Sequence, residues 1–140
     1  MAIRLKLRLK RSDRQVDVVA LVNSGYETLE PEVLVPSKIA EELGLLPLLP
    51  PGSMVKEYVL ADGSIAKLIR IPRALKVSIV EEDTVVGDVE ASVVVSDKAD
   101  EVLISDKLAG KLGIVALDFA EGLWCFRDEL GRRVRKSYSR

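Results

Sequence analysis

Val16-Asp17-Val18-Val19-Ala20-Leu21-Val22-Asn23-Ser24-Gly25 decides how the rest of the chain is read. Seven mostly apolar residues run without a break into a polar residue, a small hydroxyl and a glycine. β-Branched side chains are stiff at χ1 and fit a pleated strand. The glycine marks a point where the backbone needs freedom or close approach. The reading is a buried strand that delivers one side chain, Asn23, at its end. Asn23 is the sole asparagine in the sequence, so a chain that avoids the residue elsewhere spends its one copy at this junction.

Upstream, Ile3, Leu5, Leu7 and Leu9 alternate with Arg4, Lys6, Arg8 and Lys10, the pattern of a half-buried strand with a basic outer face. Ser12-Asp13-Arg14 turns that strand into the next. Downstream, residues 26–34 read as irregular. Pro36-Ser37 opens a short helix over residues 38–43, closed by Gly44. Pro47, Pro50, Pro51 and Gly52 mark a loop. Two apolar runs, 54–60 and 65–71, flank Ala61-Asp62-Gly63-Ser64, where Asp-Gly is a hairpin signal. Leu75, Val77 and Ile79 alternate in a further strand, Glu81-Glu82-Asp83 reads as a solvated turn, and 85–95 continues the sheet. A short buried strand over 101–104 leads to Ser105, which caps a helix over 106–112 ended by Gly113. Residues 114–117 and 123–126 are the last strands. Many short strands with two short helices describe a mainly β barrel or sandwich.

Composition sets the limits. At 140 residues the chain fits one domain with a sizeable core. Aromatics are only 4% of the chain, so that core must be built from Val, Leu and Ile. Twenty-one basic residues against 22 acidic ones leave a net charge of -1, which argues against a surface dedicated to nucleic acid. The absence of histidine removes His-based triads and His-ligated metal. Cys125 has no partner for a disulfide and reads as a small buried apolar residue; Trp124 beside it reads as core or interface. Gln15 and Asn23 are the two side-chain amides in a chain rich in Lys, Arg and Glu, a pattern of proteins from hot environments. The alternating N-terminus lacks a signal-peptide core and no apolar run is long enough for a bilayer. The expectation is a cytoplasmic protein with one domain over 1–127 and a basic, flexible tail over 128–140.

The order of these parts resembles the retropepsin-like, pepsin-related aspartic proteases. Ala20-Leu21-Val22-Asn23-Ser24-Gly25 stands where that family has a strand followed by Asp-Thr/Ser-Gly. Residues 34–45 look like the segment after that motif in many cellular members. The Ala61-Asp62-Gly63-Ser64 hairpin stands at the flap, and residues 102–114 are similar to the second half-motif, a hydrophobic pair, a glycine and a short helix. The resemblance covers roughly residues 14–127. It implies a closed retropepsin-like acid-protease barrel with two short helices, homodimeric, with Asn23, Ser24 and Gly25 at the catalytic position. It further implies a substrate-binding flap at Ala61, Asp62, Gly63 and Ser64, and a supporting half-motif at Ile104, Ser105 and Asp106. The expected partners are a second copy and an extended peptide, with no cofactor, no metal and no membrane.

Departures from the family pattern carry equal weight. The family's catalytic carboxylates share one proton, because both cannot ionise a few ångströms apart. Asn23 keeps much of the shape and hydrogen bonding of aspartate but offers no base. Three readings follow: an Asp→Asn variant, a natural pseudo-protease that keeps its groove, or an asparagine that deamidates to the acid. A turn asparagine in an unrelated β-domain is the plain alternative. Ser105 replaces the family's glycine, Glu27 and Lys107 are placed to form an ion pair, and Asp106 reads as a helix N-terminal acid. Alternatives in function are a non-catalytic peptide-binding module using the same groove, or a small β-domain contacting nucleic acid through residues 132–140.

Overall fold

The computed structural model describes all 140 residues. Alternation drives the first hairpin: β1 (Arg4–Arg11) pairs antiparallel with β2 (Arg14–Val22), joined at Ser12, whose φ of 53° is the left-handed value the tight turn needs. Leu5, Leu7 and Leu9 point inward and are fully buried, while Arg4, Lys6, Arg8 and Lys10 face out. β2 is not buried on both faces as its apolar run suggests. Ala20 is buried and Val16, Val18 and Val22 pack on the core, whereas Val19 is exposed on the outside. A barrel strand has one inward face, and the alternation follows it.

The chain then makes β3 (Glu32–Pro36), which begins inside the stretch 26–34 expected to be irregular, followed by α1 (Ser37–Glu42), with Gly44 at φ 73° ending the helix. β4 (Met54–Val59) and β5 (Ile65–Val80) form a long hairpin, and β6 (Val85–Ser96) returns along β5. The runs 65–71 and 75–79, read as separate strands, are one continuous strand. Its ladder to β6 is irregular between Ile71 and Leu75, where Pro72 lies beside Arg73 at φ 48°. Such an irregularity bends a strand and sharpens its twist. The bend lets β5 pair with β4 over its first half and close on β1 over its second.

β7 (Val102–Ile104) runs parallel to β2 and antiparallel to β3, and α2 (Asp106–Lys111) follows it. Six strands thereby close in the order β1-β2-β7-β3-β6-β5 and back to β1, a mixed barrel with parallel pairs at β2/β7 and β3/β6. Closure removes free sheet edges except at β4, which hangs outside as an edge strand on β5. The interior is Leu, Ile and Val from β1, β3, β5 and β6, joined by Leu43, Leu45, Leu108 and Leu112 from the helical segments. Each such side chain contributes about 1.5–3 kcal/mol when fully buried.

A three-stranded sheet of β8 (Ile114–Asp118), β9 (Leu123–Phe126) and β10 (Arg135–Lys136) covers one side. Trp124 is fully buried, edge-on to Phe126 at 5.0 Å between centroids, so the tryptophan belongs to the core. Cys125 is buried beside it, as expected.

The basic tail expected to be flexible is instead part of this fold. Arg135 is 5% exposed, lies over the rings of Trp124 and Phe126, and is ion-paired to Glu81, Asp83 and Glu129 at 2.7–3.1 Å. Tyr138 donates its amide to the Arg4 carbonyl, and the Arg4 amide donates to Ser137 Oγ. The tail's charge reads as solvent-seeking in sequence, but one buried arginine with three carboxylates anchors it. No helix is long and apolar enough to cross a membrane.

Candidate functional site

Asn23 directly follows β2 where the strand leaves the barrel, and Ile104 ends β7 beside it; Val22 pairs with Ile104, and the Asn23 amide reaches the Ile104 carbonyl at 3.4 Å. The turn is self-bonded. Asn23 Oδ1 accepts the Gly25 amide at 3.1 Å, and the Asn23 carbonyl accepts the Tyr26 amide at 3.0 Å. This is an Asx-type turn, which asparagine and aspartate both favour. A Cβ at Gly25 would sit 3.4 Å from Asn23 Oδ1, an ordinary distance, so room alone does not demand glycine there. Ser24 is exposed on the turn.

Ser105 and Asp106 brace this turn from behind. Ser105 is fully buried; its Oγ accepts the amides of Leu108 and Glu32, each at 3.2 Å, capping α2 and tying it to β3. Asp106 donates its amide to the Tyr26 carbonyl at 2.9 Å, and its Oδ1 accepts the amides of Thr28 at 3.1 Å and Lys107 at 2.7 Å. The acid therefore fastens the loop after Asn23 and is not directed at the groove. Glu27 and Lys107 form no salt bridge: the Asp106 hydrogen bonds hold the loop in their place.

The hairpin turn at Asp62-Gly63 is an exposed tip, with Gly63 at φ 84° and the Leu60 amide bonded to the Ser64 carbonyl. Asp62 Oδ1 accepts both the hydroxyl and the amide of Ser64, which hold its carboxyl below the usual range. Between β4 and the Asn23 turn lies an open groove of about 680 Å³. Asn23 and Gly25 are on its floor, Tyr58, Val59, Leu60 and Ala61 on the side of the β4–β5 hairpin, and Leu29, Leu34, Leu68 and Leu103 along its walls. The fold brings Asn23, Gly25 and Ala61 to one groove. Ile104, Ser105 and Asp106 support it from outside, and Asp62, Gly63 and Ser64 project at the tip.

One functional candidate went unread in the sequence. Glu32, 1% exposed, stands behind the groove with Tyr26, Tyr58 and Arg70 around its carboxylate. A buried carboxylate needs such partners, because an unpaired charge in the interior is costly. A second cavity of about 600 Å³ borders Asp83, Phe126, Glu129 and Arg135, but those charged groups already satisfy one another. Three of the four cations on the outer face of β1 are similarly paired, Arg4 with Glu101, Arg8 with Asp17 and Lys10 with Asp88, while Lys6 is in no ion pair.

Compared with known proteins, the chain matches no family model and no curated protein.

Proposed function

We propose that the chain is an aspartic-protease-type domain of the retropepsin-like kind that binds an extended peptide between the Asn23 turn and the β4–β5 flap as a homodimer, and is inactive with Asn23 in place. The observation that carries the reading is the groove itself. A strand-end turn of the N-S-G type faces a hairpin across an apolar cleft, backed by a Ser-capped helix at the position of a second half-motif. One chain supplies one such turn, so a pair of position-23 side chains requires a two-fold dimer.

With aspartate at 23 in both copies, the two carboxylates share a proton; one takes a proton from water while the other polarises the scissile carbonyl. With asparagine, neither step has a group to perform it. The Asn23→Asp variant is therefore expected to gain cleavage of a mixed peptide library at acid pH, and light scattering to return the mass of a dimer. A variant that folds, dimerises and cuts nothing sinks the protease reading.

A second reading, non-catalytic peptide capture in the same groove, is favoured by two features. β4 has a free outer edge able to accept an added strand, and Val55 and Val59 are exposed on it. Nucleic-acid binding through the tail is less favoured: Arg133, Arg135 and Arg140 are ion-paired to acids of the same chain, which leaves Arg132 and Lys136 as its cations outside any ion pair.

A further inference from the structure

β4 is exposed at five of its six residues; the exception is Tyr58. The edge strand of the flap thus turns one side chain toward the body, and that side chain meets Glu32. Across the ladder Tyr58 pairs with Ala66, too small to reach the body in its place.

The distances around Glu32 rank its partners. Tyr26 donates its hydroxyl to Oε2 at 2.5 Å, a short contact, and Arg70 donates Nε to Oε1 at 2.9 Å, within the normal range. The Tyr58 hydroxyl lies 3.4 Å from each oxygen, a long shared hydrogen bond. Arg70 is itself fixed by Ser92 Oγ at 3.1 Å and by Glu30. Glu32 therefore stays with the barrel and with the loop after Asn23, and the flap is attached by the weakest of the three bonds.

We infer that Glu32 is a positioning residue of the candidate site, and that its hydrogen bond with Tyr58 is a latch setting the height of the flap above residue 23. Tyr26 lies three residues after Asn23, so the carboxylate that steadies the floor also receives the roof. Burial and the neighbouring Glu32 charge push the phenols of Tyr26 and Tyr58 well above their usual range, so both remain donors at any working pH. The latch stands on its own geometry; its consequence for peptides rests on the proposed function.

Glu32→Gln removes the buried counter-charge of Arg70, leaves it only the half-exposed Glu30 and endangers the fold, so the test uses Tyr58→Phe, which deletes one oxygen. Amide hydrogen exchange on the otherwise unchanged protein should accelerate about 3- to 10-fold over residues 56–64, the factor one lost bond allows, while the barrel amides of 4–9 and 75–79 keep their rates. Unchanged exchange at 56–64, or equal acceleration in the barrel, overturns the latch. In an Asn23→Asp background, the same change should raise KM about 3- to 10-fold with kcat within about twofold. A fall in kcat at constant KM contradicts a positioning role. Absence of any cleavage in that background counts against the protease reading alone, and the exchange rates then decide the latch.

Discussion

The amide of Glu32 donates to the Ser105 hydroxyl at 3.2 Å, and the amide of Ser105 donates back to the Glu32 carbonyl at 3.0 Å. The exchange joins β3 to the start of α2 at the point where β7 ends beside Asn23. Ser105 therefore does not crowd the loop; it accepts two amides that would otherwise be buried without partners.

Replacing Ser105 with alanine strands the amides of Glu32 and Leu108 together. The expected loss is about 1–3 kcal/mol, the cost of leaving a buried donor unpaired, read as a lower urea midpoint at unchanged slope. A change below about 0.5 kcal/mol would contradict the bracing role.

The C-terminal segment should prove structural. Arg135→Met removes a buried cation from three acids that keep partial solvent contact, so the expected loss stays below the about 3–5 kcal/mol that breaking a fully buried pair costs. Deletion of residues 131–140 should do at least as much damage, measured by thermal or urea unfolding. A truncated chain as stable as the intact one would mean that these ion pairs contribute nothing.

Acid stability should show the same cluster. Arg135 holds the Glu129 carboxyl down to about 2 from its ordinary 4.5 and depresses Asp83 as well. A depressed folded-state value means the contribution is full above pH 4.5 and fades as pH falls toward 2. The urea midpoint should drop across that window, and less steeply in Arg135→Met. Equal slopes in both proteins would place the acid sensitivity elsewhere.

Gly87 lies against Ser78 so closely that a Cβ would fall 2.3 Å from Ser78 Oγ and 2.8 Å from the Ser78 backbone. Gly87→Ala is expected to cost about 1–3 kcal/mol by overpacking. Ser78→Gly should not rescue it, because the clash with the backbone at residue 78 remains. Full rescue by the double variant would show the hydroxyl alone to be the obstacle.

Local patterns made much of the barrel legible. The strict alternation of Ile3, Leu5, Leu7 and Leu9 anticipates side chains that are all fully buried, Asp62-Gly63 anticipates the hairpin tip, and Ser105 the helix cap. These signals lie within a few residues of one another. Glu32 had none. Its partners Tyr26, Tyr58 and Arg70 are 6, 26 and 38 residues away, and in Leu29-Glu30-Pro31-Glu32 the acid looks like surface. Arg135 was hidden in the same way, among basic neighbours and 52 residues from Asp83. The closure of β5 onto β1 depends on a bend at Pro72-Arg73, where the sequence shows two separate strands.

The most direct measurement of the central claim is peptide-library cleavage by the Asn23→Asp variant, followed from acid to neutral pH with a pepstatin-like inhibitor as control. Cleavage should appear with a bell-shaped profile below neutral pH, as two neighbouring carboxylates titrate in succession. The inhibitor should abolish it, and the unsubstituted chain should show none. Arg135 holds the Glu129 carboxyl well below the usual carboxylate range, so this ion pair persists into mildly acid solution. A folded, dimeric Asn23→Asp protein that cleaves nothing at any pH would contradict the account and leave the groove as a site for peptide capture.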